Sequence, residues 1–459
     1  MIRKKITQNQ SSFWIQTDDL QIKPQITFYT KLNGILDKMK FGNQVRKLCA
    51  EYYSEKANCR PPVDPEIYFK MLLTGFFENL RSERAIASRC ADSLSIRAFL
   101  GFTITESTPD HSTLSLIRQR LPEAMFSQVF SIVLKELKNH GLVKGKNIAL
   151  DTSVMEANAS LSHLQNRMTE DSYSEYISKL AEQSGVDPKD KEAVARFDRK
   201  RKDRKTSNDE WYNPHDPDAK IGRTKDGATD MIYKPENTVD LDTGAILDAD
   251  ILFGDRGDTD GLSERIINAQ IRLNDISENP IEEKPVETVT TDKGYYNVQE
   301  LVTIQSAGIT TNISDKEFNR NKSKLTDEEA LAVELSHSSV KSKEGKSLLR
   351  RRGMYVERSF AHILDSGGER RTTLRGLKNN RKRYFIATAC YNLSLLMRTI
   401  FGIGTPKQAY ALSFFALFAA LKALFSSQKH KIRLYKQFYF RINKNMAFCE
   451  NQTKFLRFG

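Results

Sequence analysis

The sequence is poor in the features that mark secreted, disulfide-bonded or membrane-spanning proteins. Its five cysteines are odd in number and scattered, without a Cys-x-x-Cys pair, which argues for reduced thiols in a cytosolic protein and against a disulfide scaffold or a zinc module. The seven histidines show no paired ligand spacing, so zinc is not expected. The first residues lack the apolar core of a signal peptide. The most apolar run, residues 409–421, is too short to span a bilayer and predicts a buried helix.

Positive charge is what the sequence has in excess. Its 459 residues carry a formal net charge of +13, with a pI near 9.3. This length allows roughly three domains. The charge favours a polyanionic partner such as nucleic acid, although a basic but unspecialised surface would give the same balance.

The first 140 residues predict an all-helical domain that binds DNA or dimerises. Helices are predicted to open at or near Asp64, Ser82, Asp110 and Pro122, each followed by apolar residues at helical spacing. Such short helices could form a helix-turn-helix-like unit, or a plain bundle whose arginines face water. The arginines expected on the outside are Arg81, Arg84, Arg89, Arg97, Arg118 and Arg120.

From about residue 145 the pattern changes to strands, in the order of an RNase H-like α/β core with a mixed sheet. The predicted strands are 147–151, 231–240, 245–252, the run that ends before Asp292, and 309–313, with helices near 260–272 and 298–307. Asp242-Thr243-Gly244 predicts a hairpin turn. The same tripeptide occurs in aspartic proteases, but a single copy without apolar flanks argues against that class.

Two polar and basic stretches, about 161–226 and 314–350, are predicted to be insertions into this core that reach DNA. Trp211 in the first of them either stacks on a base or anchors a loop. We therefore expect a helical domain over 1–140, a catalytic domain over 141–405, and a basic, aromatic tail over 406–459. That tail could bind DNA, support dimerisation or have no role.

Three acidic residues stand at structural cues that suggest a metal site. Asp151 and Asp292 end short strand patterns, and Glu357 lies at the predicted start of a later helix. Gathered carboxylates repel one another unless a cation joins them, and oxygen ligands select Mg²⁺ or Mn²⁺. Two such ions can support in-line phosphoryl transfer. Competing acidic residues are Asp255, Asp258 and Asp260. His362 could lie near the site, pack, or contact a phosphate.

A series of motifs occurs in a fixed order along the chain. They are RPPVDP at 60–65, RSER at 81–84, PDHSTL at 109–114, DTS at 151–153, DPDAK at 216–220, VDLDTG at 239–244, TDKGY at 291–295, VERSFAH at 356–362, RRTTLRG at 370–376 and YNL at 391–393. Through them the chain resembles bacterial insertion-sequence transposases of the DDE type over roughly residues 30–405.

This resemblance implies a catalytic triad of Asp151, Asp292 and Glu357 that binds two Mg²⁺ or Mn²⁺ ions. It also implies recognition of the element's terminal inverted repeats, cleavage at the element ends, and joining of 3′-hydroxyl ends to double-stranded target DNA by a homodimer in a synaptic complex. A catalytically silent DNA-binding derivative and a metal-dependent nuclease without strand transfer remain alternatives.

The sequence departs from the tyrosine–arginine–glutamate–lysine signature of some of these enzymes. Gly353 stands at the arginine position and Leu364 at the lysine position. Other basic residues are candidates for the missing phosphate contacts. These are Arg352, Arg358, Arg370, Arg371 and Arg375.

Overall fold

The computed structural model describes residues 27–53, 63–202, 206–279, 286–315 and 325–411. The chain up to Gly404 forms one compact unit, and residues 405–459 form another, of which 405–411 are described. The predictions made for the tail beyond residue 411 lie outside the described residues.

The N-terminal part of the chain is helical, as predicted. Its helices are α1 (Thr27–Lys38), α2 (Phe41–Cys49), α3 (Pro65–Phe77), α4 (Glu83–Asp92), α5 (Leu94–Leu100), α6 (His111–Arg120) and α7 (Glu123–Asn139). The side chains of Asp64, Ser82 and Asp110 each accept a hydrogen bond from a first-turn N–H of α3, α4 and α6. These caps satisfy backbone donors that a helix start leaves unpaired, and they confirm the predicted starts.

The arginines of this helical part do not all face outward. Arg97 is 9% exposed, and its guanidinium donates to the carbonyl oxygens of Thr103 (2.6 Å) and Ile104 (3.2 Å). Arg118 forms an ion pair with Glu83, 2.7 Å away. The prediction of an external position is therefore wrong for these two arginines, because each holds the helical part together. The helix-turn-helix hypothesis stays a prediction.

A mixed β-sheet follows the helices. The strands are β1 (Asn147–Thr152), β2 (Met155–Glu156), β3 (Gln165–Asn166), β4 (Trp211–Tyr212), β5 (Lys220–Arg223), β6 (Thr229–Asp240), β7 (Ile246–Phe253), β8 (Thr288–Thr291) and β9 (Thr310–Ile313). Strand β1 pairs antiparallel with β6 and parallel with β8; β6 pairs antiparallel with β7, and β8 parallel with β9. This order, β7-β6-β1-β8-β9, is the RNase H-like core that the strand pattern predicts.

Helices connect and cover these strands. They are α8 (Tyr173–Gln183), α9 (Lys191–Lys200), α10 (Leu262–Asp275), α11 (Val298–Ser306), α12 (Asp327–Lys341), α13 (Lys343–Phe360) and α14 (Leu377–Phe401). Neighbouring residues of β6 point to opposite faces of the sheet. Asn237 donates to Ser359 of α13 (2.9 Å), whereas Glu236 pairs with Arg265 of α10 (2.6 Å). Helices α13 and α10 therefore cover opposite faces.

The predicted hairpin turn joins β6 to β7. Two features of this turn favour glycine at position 244. Gly244 adopts φ +80°, a conformation that other residues reach only with strain. A Cβ at Gly244 would also lie 2.7 Å from a ring carbon of Tyr355. The turn therefore packs directly against α13, the helix that carries Glu357.

Part of the second predicted insertion belongs to the core. Ser336 of α12 donates to the carbonyl oxygen of Ile313 at the end of β9 (3.1 Å). Helix α13 begins at Lys343, so the prediction that Glu357 stands at a helix start is wrong; it lies in the last turn. In the first predicted insertion, β5 pairs with β6 of the main sheet. The division of the chain into domains stays a prediction.

One stretch, Leu377–Ala411, is long and apolar enough to cross a membrane by length and composition alone, but 67% of its apolar window is buried inside the protein. The buried side of α14 packs along α7, where Phe130 lies against Phe385 with ring centroids 6.4 Å apart. This burial fits the core helix of a folded protein.

Candidate active site

Asp151 and Asp292 lie at the same end of two neighbouring parallel strands. The register of β1 and β8 pairs Ala149 with Thr290, so two residues further along Asp151 comes opposite Asp292. Asp292 directly follows β8, and its Oδ1 accepts the N–H of Gly294 (2.7 Å), which fixes the side chain at the strand end. The structure thus brings two of the three predicted site residues together.

A guanidinium group lies between these two carboxylates. Nη2 of Arg352, on α13, is 2.7 Å from Oδ2 of Asp151 and 3.8 Å from Oδ2 of Asp292. Burial raises the pKa of Asp151 to about 6, although the positive charge of Arg352 opposes the rise. One arginine therefore compensates only part of the cost of burying this carboxylate beside another.

Glu357 is on α13 but does not share this contact. Its side chain is exposed, while the adjacent Val356 and the nearby Ser359 are buried against the sheet. One turn earlier, a Cβ built on Gly353 would be 4.0 Å from Oε1 of Glu357. The glycine at the signature's arginine position thus leaves the surroundings of Glu357 open.

Asp258, one of the competing acidic residues, lies next to the strand end. Its Oδ1 accepts hydrogen bonds from Oγ1 of Thr152 (3.1 Å) and from Nζ of Lys234 (3.2 Å). Its negative charge also contributes to the raised pKa of Asp151, after burial and Asp292. Asp255 and Asp260 are exposed. The loop after β7 therefore contributes one carboxylate to this neighbourhood.

The donor chemistry at the strand ends fits a divalent cation in part. Asp151 and Asp292 offer the oxygen ligands that Mg²⁺ and Mn²⁺ prefer, and the nearby guanidinium marks a position where positive charge between them is favourable. Across the described part of the chain, however, no three or more His, Cys, Asp or Glu side chains are grouped closely enough to hold a metal ion. The two aspartates fit such an ion, and a third carboxylate would have to move to join them.

The candidate phosphate-contacting arginines fall into two groups. Arg370 is occupied by Asp365 (2.8 Å) and by the carbonyl oxygen of Val154 (2.9 Å), and Arg352 is occupied by Asp151. The remaining three are exposed: Arg358, Arg371 and Arg375. Arg371 lies 3.9 Å from Glu156 and Arg358 lies over the ring of Tyr355, yet all three arginines remain accessible from solvent.

Trp211 does not fit a base-stacking role. It is 3% exposed, with its ring packed against Tyr173 (centroids 5.4 Å apart) and Tyr176 (5.2 Å) of α8. The tentative DNA contact is therefore corrected: Trp211 anchors α8 to the β3–β4 ladder, the alternative that the sequence left open.

His362 takes the packing alternative, and Asn237 is a buried link that the sequence pattern missed. His362 is half-buried with its ring edge-on to Tyr391, and burial lowers its pKa, as expected for a packing residue. Asn237 is fully buried and joins β6 to two helices, since Tyr384 of α14 donates to its Oδ1 (2.8 Å) while its amide donates to Ser359. Asn237 lies in the largely polar run Lys234-Pro235-Glu236-Asn237-Thr238, so the local sequence contains no signal for this link.

Comparison with protein-family models gives two matches. A transposase domain, DUF772, matches residues 18–120, and a transposase DDE domain matches residues 199–393. The second match contains Asp292 and Glu357, while Asp151 lies before it. Neither the curated proteins nor the solved structures give a significant match.

Proposed function

Because the chain belongs to the DDE transposases of insertion sequences, we propose that it cleaves DNA at the ends of its own element and joins the freed 3′-hydroxyl groups to target DNA. The observation that carries this proposal is the convergence of Asp151 and Asp292 at the ends of adjacent parallel strands of an RNase H-like sheet. The net charge of +13 supports a polyanionic substrate.

In this proposal Asp151, Asp292 and Glu357 hold two Mg²⁺ or Mn²⁺ ions. Such ions activate the attacking oxygen and stabilise the leaving one during in-line phosphoryl transfer. Asp151 and Asp292 would supply ligands from the sheet, and Glu357, whose side chain is exposed, would supply one from α13. Thr152 and Lys234 hold Asp258 beside the site. Asp258 is therefore the main alternative to Glu357 as the third carboxylate.

A strand-joining assay separates this function from its two alternatives. DNA flanking the reading frame should contain terminal inverted repeats, and duplexes with those ends are the substrate. With Mg²⁺ the protein should cleave duplexes whose element ends are intact. It should also join pre-cleaved ends to a plasmid. Cutting without joining would indicate a nuclease, and binding without either reaction would indicate a silent DNA-binding derivative.

Synapsis of two element ends requires two active sites, so we propose that the protein acts as a homodimer on DNA. Light scattering of the protein with a duplex that carries one end should give a mass of two chains and two duplexes. A complex of one chain with one duplex at concentrations that support joining would contradict this part of the proposal.

Binding to DNA should weaken steeply with salt, and the exposed arginines should account for part of the slope. Replacing Arg358, Arg371 and Arg375 together by alanine is expected to lower the slope of log K against log salt by about 2–3, since each lost phosphate contact removes roughly one released counterion. Fluorescence anisotropy between low and moderate salt measures this slope.

The matched control is Lys146→Ala. Lys146 is also exposed, but it precedes β1 at the sheet end opposite Asp151, where it pairs with Glu287 (2.8 Å). Its loss should leave the slope unchanged. An equal loss of slope in both proteins would show that the arginines contribute only general charge.

A further inference from the structure

We propose that Arg352 is a built-in counter-ion of the aspartate pair, which competes with a divalent cation for Asp151 and Asp292. This inference rests on the proposed function, because it concerns the same metal site. It assigns Arg352 a positioning role at the strand ends in place of the direct phosphate contact that the sequence suggested.

The geometry of the guanidinium carries the inference. One nitrogen, Nη2, approaches oxygens of both carboxylates, at 2.7 Å from Asp151 and 3.8 Å from Asp292. The Arg352 side chain is 16% exposed and that of Asp151 is 20% exposed, so the contact is largely shielded from water. A guanidinium is charged at any accessible pH. The group therefore presents a permanent positive charge where the oxygens of the two strands converge.

The contact is built so that the arginine can be displaced. Nε of Arg352 is buried without a hydrogen-bond partner in the described structure, so the guanidinium is only partly satisfied. A buried donor left without an acceptor costs about 1–3 kcal/mol, which reduces the net stability of this arrangement. A fully paired, bidentate arginine would be harder to remove from the same carboxylates.

Neighbouring arginines on the same helix show that this placement is specific. Arg351 turns to the hairpin after β6, near the start of β1, where it pairs with Asp242 (2.6 Å), and Arg358 lies over the ring of Tyr355. Arg352 alone of these three contacts the strand-end aspartates. Because a divalent ion and a guanidinium cannot use the same oxygens, occupancy by one excludes the other, and mutual repulsion strengthens the exclusion.

The test measures Mn²⁺ binding by the full-length protein without DNA. Titration followed by electron paramagnetic resonance gives the affinity, and the Mn²⁺-induced rise in melting temperature gives a second readout. Arg352→Gln is expected to bind Mn²⁺ at least about tenfold more tightly than the wild type, because a competing charge is removed. Arg352→Lys keeps the charge and should bind Mn²⁺ more weakly than Arg352→Gln. Arg351→Gln, the matched control, should behave as the wild type.

The outcomes distinguish the inference from the function on which it rests. If Arg352→Gln binds Mn²⁺ no more tightly than the wild type, while Asp151→Asn abolishes binding, Arg352 is not a competitor and the metal site stands. If Asp151→Asn and Asp292→Asn leave Mn²⁺ binding unchanged, the metal site itself is wrong, and the inference is overturned with it. Failure of both the wild type and Arg352→Gln to bind Mn²⁺ has the same consequence.

Discussion

Replacing Asp292 by asparagine should abolish strand cleavage and joining, with rates reduced on the order of a thousandfold or more, because the variant loses the negative charge of a proposed ligand to the metal ions that would stabilise the transition state. Asparagine keeps an oxygen that can accept the N–H of Gly294, the bond that fixes this side chain at the strand end. The fold and the affinity for DNA should therefore be retained. Gel assays of cleavage and joining on the same end duplex measure the effect.

Asp190→Asn is the matched control for this experiment. Asp190 also caps a helix start, where its Oδ1 accepts the N–H groups of Glu192 and Ala193 at the beginning of α9. Its substitution makes the same chemical change outside the proposed site and should leave the rates near those of the wild type. Cleavage by Asp292→Asn at the wild-type rate would sink the proposed mechanism.

A comparison of two further variants tests whether Glu357 or Asp258 is the third carboxylate of the proposed site. Glu357→Gln should lose cleavage to the same extent as Asp292→Asn, whereas Asp258→Asn should retain most of the activity, because we assign Asp258 to holding Thr152 and Lys234. Full activity in Glu357→Gln together with loss of activity in Asp258→Asn would assign the third carboxylate of the site to Asp258, in the loop after β7.

The second large effect concerns stability against pH and comes from Glu236. This carboxyl is 4% exposed, and burial raises its pKa to about 8 although Arg265 lies 2.6 Å away. Between the ordinary pKa of a glutamate and pH 8, the folded protein holds a proton that the unfolded chain releases. The contribution of this group to stability is therefore complete at low pH and is lost as the pH rises through 8.

The interval from pH 6.5 to pH 8.5 contains the titration of Glu236, whose pKa burial raises to about 8. Burial raises the pKa of Asp151 and of Asp250 to about 6, so the titration of these two groups is largely complete below this interval, and the lowered pKa of His362 acts below 6.5. The free energy of unfolding should fall by about 2 kcal/mol across the interval, at roughly 1.4 kcal/mol for each pKa unit. Urea unfolding at matched ionic strength measures the change.

Glu236→Gln provides the control, because the decisive quantity is the pH slope. The variant changes the group that faces Arg265, so its absolute stability can differ from that of the wild type. Its stability should nevertheless be nearly constant between pH 6.5 and 8.5. An unchanged slope in the variant would assign the pH dependence to other groups.

The sequence predicted the elements of the core because their signals are local. Strand β1 was expected over 147–151 and spans Asn147–Thr152, and β6 was expected over 231–240 and spans Thr229–Asp240. Alternating or continuous apolar residues, caps and a glycine turn act within a few residues of one another. The order of these elements was sufficient to predict an RNase H-like sheet.

The same local signals could not predict which way individual side chains point. Trp211 occurs in polar surroundings along the chain, and Arg97 is a charged residue that was expected to face water. Both are buried by residues that lie elsewhere in the sequence or beyond the next turn. Burial depends on packing between elements, which spacing along one element does not reveal. For that reason the expected external position of Arg97 was wrong, and Trp211 took the anchoring alternative instead of the DNA contact.

The sequence by itself determined that Asp151 and Asp292 lie at the ends of two strands of one sheet and that Glu357 lies on a later helix. Only the tertiary structure decided what surrounds them. The rotation of α13 about its axis, set by burial of Val356 and Ser359, directs Arg352 to the aspartates and leaves Glu357 exposed. Helix α13 is polar on most of its surface, so its sequence alone does not specify which face meets the sheet; contacts with β6 and the hairpin turn do.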